Sequence, residues 1–109
     1  MSYSVKSIEV FEKQVKRLSK KYASLKNELL ELVQKLKENP EQGTPIGKNC
    51  FKIRLAIASK NKGKSGGARI ITHFMVTDAS VYLLSIYDKS DKENLTDKEL
   101  EELLNFISE

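Results

Sequence analysis

From Ile8 the apolar residues recur at Phe11, Val15, Leu18, Tyr22, Leu25, Leu29, Leu32 and Leu36, spaced by three or four throughout. Such spacing puts them all on one stripe of a helix. An unbroken helix over 8–36 would run roughly 43 Å at about 1.5 Å per residue. A compact chain of 109 residues has a radius of gyration near ~13 Å, so a single rod would carry much of its stripe past any core. Ser24, just after Tyr22-Ala23, is a natural N-cap. The stripe therefore predicts two helices, about 8–21 and 25–38, folded back as a hairpin that Asn39-Pro40 ends.

The rest of the chain changes period. Tyr3 and Val5 alternate as a short opening strand, and residues 39–50, with both prolines and two glycines, read as a loop. Phe51 to Ala58, Ala68 to Val76 and Val81 to Tyr87 read as three antiparallel strands, with Thr77-Asp78-Ala79-Ser80 turning between the last two. Thr96 and Glu99 form a capping box and Leu95 and Leu100 a hydrophobic staple, so a helix of about 97–107 follows, with Leu100, Leu103, Leu104 and Ile107 as its stripe. The expected class is α+β: one domain over 1–109, with a short N-terminal strand, a two-helix hairpin, a three-stranded antiparallel sheet and a C-terminal helix.

No apolar run approaches the roughly 20 residues that a membrane span needs. The start of the chain lacks the apolar stretch of a secretory signal, and Cys50, the single cysteine, has no partner for an internal disulfide. A cytoplasmic protein with no membrane partner is expected.

The net charge of +4 is unevenly spread. Residues 1–50 hold ten basic and six acidic side chains, residues 51–89 seven and two, and residues 90–109 two and seven. Lys52, Arg54, Lys60, Lys62, Lys64 and Arg69 follow one another with no acid between them. Strand alternation then sorts them by face. Phe51, Ile53, Leu55 and Ile57 share the core face, with Lys52 and Arg54 opposite. In the next strand Ile70, Phe74 and Val76 join the core, leaving Arg69, Ile71, His73 and Met75 opposite. In the last, Tyr82, Leu84 and Ile86 go to the core, and Val81, Leu83, Ser85 and Tyr87 go opposite, with Lys89 continuing that parity. Lys52, Arg54, Arg69, His73, Tyr87 and Lys89 thus converge on one face without a carboxylate of its own, a field that suits a polyanion such as nucleic acid.

Several chemistries are excluded. There is no paired-carboxylate pattern for glycoside hydrolysis and no His/Cys cluster with metal spacing, so neither metal nor cofactor is expected. Ala58 to Ser65 (ASKNKGKS) ends like a phosphate-binding P-loop, but Ala58 replaces the leading glycine and GGARIITHF continues as strand, so the helix N-terminus that would cradle a phosphate is missing. A cationic face can instead cut RNA, whose 2′-hydroxyl attacks the adjacent phosphate once its proton is removed, the added charge is stabilised and the leaving oxygen is protonated. Lysine and arginine can share these tasks, since within a crowd of cations one lysine can give up its proton while arginine stays charged.

Phe51-Lys52-Ile53-Arg54, Ser59-Lys60, Lys62-Gly63-Lys64, Gly66-Gly67-Ala68-Arg69-Ile70-Ile71 and Leu83-Leu84-Ser85-Ile86-Tyr87-Asp88-Lys89 together resemble the RelE/HigB branch of the RelE/ParE toxin superfamily, as does the order of elements. The resemblance implies a RelE-like fold and a toxin of a type II toxin–antitoxin system, acting as a ribosome-dependent, metal-independent mRNA endonuclease. It implies catalytic roles for Lys52, Arg54, Arg69 and Lys89, with Tyr87 offered in place of the family's RNA-stacking tyrosine. It also implies RNA contacts from the Lys60, Lys62 and Lys64 loop, which His73 would join. The partners it implies are a cognate antitoxin protein, mRNA and the ribosomal A site. Two other functions fit the charge: a ParE-like inhibitor of DNA gyrase, which would not need the Lys52/Arg54/Arg69/Lys89 set, and a non-catalytic RNA or ribosome binder.

Overall fold

The helical stripe does break where the length argument requires. In the computed structural model, which describes residues 2–60, 66–92 and 94–107, helix α1 spans Glu9–Lys21 and α2 spans Leu25–Glu38. Ser24 sits at the N-cap of α2, but its side chain makes no cap hydrogen bond. Its Oγ lies 2.9 Å from Ser59 Oγ and accepts from Ser59 N at 2.9 Å, so the residue ties the hairpin turn to the sheet. The radius of gyration is 13.1 Å.

Among the described residues five strands form one mixed sheet, two more than the three-stranded antiparallel sheet expected. They are β1 (Ser4–Ser7), β2 (Thr44–Gly47), β3 (Cys50–Leu55), β4 (Ala68–Met75) and β5 (Ser80–Asp88), in the order β1-β5-β4-β3-β2. The opening strand joins the same sheet, parallel to β5, with Val5 opposite Val81. Strand β2 lies within the segment read as a loop. Its Pro45 is tolerated because β2 is an edge strand, and Lys48 (φ 55°) and Asn49 (φ 58°) form a two-residue turn into β3, with Gly47 opposite Cys50. Two successive positive φ values are what a type I′ hairpin needs. A lysine in that turn hides the signal that Asn-Gly would have given. Val76, expected in the core, is 63% exposed because β4 ends at Met75 and a 3-10 turn follows.

Helices cover both faces of the sheet. The α1/α2 hairpin packs on one, where Leu32 and Ile53 line one cleft and Phe11, Leu29 and Leu83 line another. Helix α3 (Asp97–Leu104), shorter than the expected 97–107, lies on the other, with Leu95 and Leu100 lining a cavity shared with Lys52, Ile71 and Tyr87. Ile71 is therefore fully buried although alternation puts it opposite the hairpin.

The expected alternation fails in part of β5. Ile71 pairs with Ser85 but Thr72 pairs with Leu83, so Leu84 is an extra residue, a β-bulge. Before the bulge the parity reverses. Val81 and Leu83, assigned to the cationic face from sequence, turn toward the hairpin, and Tyr82, assigned to the core, takes the other side opposite His73 with the Lys6 ammonium over its ring. After the bulge Ser85 and Tyr87 keep the assigned face.

The start of α3 is built as the sequence predicts. Thr96 Oγ1 accepts from Glu99 N at 3.1 Å, and Glu99 Oε1 accepts from Thr96 N at 2.9 Å. Replacing Thr96 with alanine is expected to lower unfolding free energy by about 1 kcal/mol. Urea denaturation with an unchanged slope would show a loss confined to stability.

Candidate functional site

Register brings the basic residues of three strands together. Arg54 on β3 lies directly opposite Arg69 on β4, and Arg69 lies opposite Tyr87 on β5, so the three form one row across the sheet. With adjacent strands about 4.8 Å apart, the row spans about 10 Å. The next row holds Lys52, Ile71 and Ser85. Directly opposed like charges weaken a strand pair, so the Arg54–Arg69 pair serves something other than sheet stability. Arg54 is exposed and Lys52 half-buried, with Lys52 Nζ donating to Asn94 Oδ1 at 3.2 Å. Arg69 is only 4% exposed and is not a free guanidinium; one of its contacts is a hydrogen bond to Ala68 O at 3.3 Å.

Tyr87 is buried beneath α3 and its neighbours Leu95, Glu99 and Leu103, and its hydroxyl has no hydrogen-bond partner among the described residues. Burial raises its pKa; the nearby Arg69 charge opposes that rise and Glu99 adds to it. In this conformation the ring cannot stack on a base. Lys89 follows at the end of β5, exposed, with its backbone N–H on Gly67 O at 3.1 Å. Gly67 is required by a different neighbour: a Cβ there would stand 2.1 Å from Leu55 O.

The other expected contacts lie elsewhere. The Lys60 ammonium pairs with Asp88, stands 5.8 Å from the centre of the Tyr22 ring and is 10% exposed, so it does not face a substrate as the structure stands. Lys62 and Lys64 lie outside the described residues. His73 is four residues along β4 from Arg69, about 13 Å by strand rise. It does not join the arginines. It sits near the end of α3 with Lys48, Met75 and Leu104, and its Nδ1 is 3.5 Å from Cys50 Sγ. Burial lowers the His73 pKa and pushes the Cys50 thiol up to about 11.

The face is not free of acids once the chain is folded. Helix α3 brings Glu101 to Lys48 (2.7 Å), and Glu99 pairs with Lys92. Hydrogen bonds from Lys92 and from the Thr96 N–H hold the Glu99 carboxyl at about 2, and Lys48 lowers that of Glu101. Glu99, named from sequence for its cap alone, reaches the basic face with Glu101 and Asn94, which no sequence motif singles out. The signal was the acidic balance of residues 90–109, which marks that segment as a complement to the basic strands. Among the described residues no three His, Cys, Asp or Glu side chains gather as a metal site, and no helix is long and apolar enough to cross a membrane. Ala58–Lys60 form a 3-10 turn and β4 begins at Ala68, while residues 63–65, which match the end of a P-loop, lie outside the described residues.

A row of guanidiniums flanked by two lysines offers several donors to one or two phosphates, and arginine can do so in a bidentate manner. The family model described as RelE toxin of the RelE/RelB toxin–antitoxin system matches residues 8–108. Among solved structures, the free state of an arginine double mutant of E. coli toxin RelE superposes with a TM-score of 0.63 at 19% identity, covering 99% of this chain and 100% of that one. The intact E. coli RelBE toxin–antitoxin complex gives 0.62 at 18% identity, over 80% of this chain and 96% of that one. The same mutant toxin bound to an antitoxin RelBc peptide gives 0.63 at 17% identity, over 99% and 100%. At these identities the structures share the fold.

Proposed function

The chain belongs to the RelE toxin family, and from that premise we propose that this toxin of a type II toxin–antitoxin module is an endoribonuclease that cuts mRNA in the ribosomal A site without a metal ion. The observation that carries the reading is the Arg54–Arg69–Tyr87 row, with Lys52 in the next row and Lys89 at the strand end. In the proposed reaction the 2′-oxygen forms a bond to the neighbouring phosphorus while the bond to the 5′-oxygen breaks. The 2′-hydroxyl proton goes to one lysine of the set, Lys52 or Lys89, as general base. Arg54 and Arg69 hold the phosphorane oxygens, and the second lysine protonates the departing 5′-oxygen.

Arg69 has to exchange its contacts within the protein for the phosphate, and Tyr87 has to emerge from under α3 before it can stack. Both favour a substrate presented in a fixed geometry, because the ribosome then supplies the positioning that a site without a histidine pair lacks. The cognate antitoxin is the second partner, holding the toxin inactive by covering the basic face or by blocking entry to the ribosome.

The test incubates the purified chain with a defined mRNA, with and without programmed ribosomes, in magnesium that keeps the ribosomes assembled, and maps the new ends and their chemistry. Cuts that need ribosomes and leave 2′,3′-cyclic phosphate and 5′-hydroxyl ends are expected. No cut in either tube would overturn the reading in favour of a gyrase inhibitor or a passive RNA binder. Cuts that leave 5′-phosphate and 3′-hydroxyl ends, as attack by an activated water would, would overturn the 2′-hydroxyl chemistry.

A further inference from the structure

Asp88 stands between the two site candidates Tyr87 and Lys89, and its side chain is wholly buried. A buried carboxylate persists only when its oxygens are hydrogen-bonded and its charge is paired. Here donors come from three separate segments. Tyr22 Oη, at the end of α1, donates to Oδ2 at 2.5 Å; Lys60, on the connection after β3, donates to Oδ1; and Ser90 donates to Oδ1 through both N (3.0 Å) and Oγ (2.7 Å). The carbonyl of Asp88 accepts from Asp91 N at 3.0 Å and Lys92 N at 3.1 Å, fixing the turn that follows. The Lys60 connection is pinned again just upstream, where Ala58 N donates to Glu28 Oε2 at 2.6 Å and Ser59 holds Ser24.

We infer that Asp88 is a positioning residue for the cationic row: its buried carboxylate locks the end of β5, and with it Tyr87 and Lys89, to the helical hairpin and to the β3–β4 connection, and it withdraws Lys60 from the set of RNA contacts. The inference rests on the proposed endonuclease reading and assigns Lys60 a different role from its lysine neighbours. Lys60 is the buried counter-ion of the lock, and the exposed Lys21 ammonium stands 4.0 Å from Oδ2 on the side of α1. Its ammonium cannot reach a phosphate while it holds Asp88. Conversely, Lys89 is exposed because the residue before it is anchored and the turn after it is closed.

Two measurements separate this from a general contribution to folding. The first follows binding of a labelled single-stranded 2′-O-methyl oligoribonucleotide, which cannot be cut, as a function of salt. Each lost phosphate contact on a single strand reduces the slope of log K against log salt by about 0.7. Lys89→Met is expected to reduce the slope by that amount, whereas Lys60→Met leaves it unchanged. A reduced slope for Lys60→Met would make Lys60 a phosphate contact and overturn the assignment. The second compares ribosome-dependent cleavage by Asp88→Asn and by Asp88→Asn/Lys60→Met, well below each melting temperature. Asparagine keeps the shape and accepting oxygen but strands the Lys60 charge. About a tenfold loss in kcat with KM nearly unchanged is expected for the single variant, with partial recovery in the double one. A folded Asp88→Asn protein with normal kcat would overturn the positioning role. If the unaltered protein does not cut at all, the endonuclease reading fails, while the salt measurement still decides where Lys60 acts.

Discussion

Arg69→Ala is expected to reduce ribosome-dependent mRNA cleavage by about 10²–10³-fold, the loss that follows removal of one preorganised donor to a developing oxyanion. Binding should suffer far less: one phosphate contact out of several, read as a fall of about 0.7 in the salt slope on a single-stranded RNA. Arg69→Lys keeps the charge but loses the planar fork that can hold two phosphate oxygens, so most of the rate should stay lost. A merely electrostatic platform would behave otherwise, with the lysine variant near normal. Because Arg69 is 4% exposed, its removal also disturbs packing, and melting temperatures of both variants have to be measured beside the rates. Normal cleavage by a folded Arg69→Ala protein would remove this residue from the site.

The largest stability effect is expected at Asp88. Alanine there leaves the Lys60 ammonium, 10% exposed, without its counter-ion and takes an acceptor from Tyr22 and Ser90. Breaking a buried pair from one side costs about 3–5 kcal/mol. Thermal and urea unfolding would measure the loss, and Asp88→Ala/Lys60→Met should recover part of it because no charge is then stranded. The pH dependence has a definite sign. Burial by itself raises the carboxyl pKa of Asp88, but the hydrogen bonds from Lys60, Tyr22 and Ser90 outweigh it and hold the group well below the ordinary carboxylate range. A lowered folded-state pKa contributes stability above the unfolded value of about 3.9 and loses it as pH falls toward the folded value. The unaltered protein should therefore weaken below about pH 4, and Asp88→Asn should show less of that dependence. An identical acid profile for the two would contradict the buried pair.

The hairpin, the final helix and three strands were legible because each rests on local patterning: the stripe from Ile8 to Leu36, the Thr96/Glu99 box and the runs of β-formers. What escaped depends on contacts distant in sequence. Edge strand β2 forms because Lys48 and Asn49 take left-handed conformations that composition does not announce. The bulge at Leu84 inserts one residue into an otherwise alternating run, and Val81, Leu83 and Tyr82 change faces together. The row of Arg54, Arg69 and Tyr87 lies after the bulge, where the alternation argument holds. Lys60 was grouped with Lys62 and Lys64 by sequence neighbourhood, yet its partner is 28 residues away. Burial of Tyr87 could not be read either, since it depends on which face α3 chooses.

The parallel pairing of β1 with β5 ties the beginning of the chain to its last strand, Ser4 opposite Ser80 and Ser7 opposite Leu83. During synthesis β1 therefore waits for β5, 76 residues further on, before its place in the sheet exists. Contacts of such long sequence separation form late and slow folding. Arg54 and Arg69 can meet early, but Tyr87 and Lys89 complete the arrangement only after β5 has been translated. The row of Arg54, Arg69 and Tyr87 is therefore incomplete in any copy whose β5 has yet to emerge, and the basic surface is among the later parts of the fold to assemble.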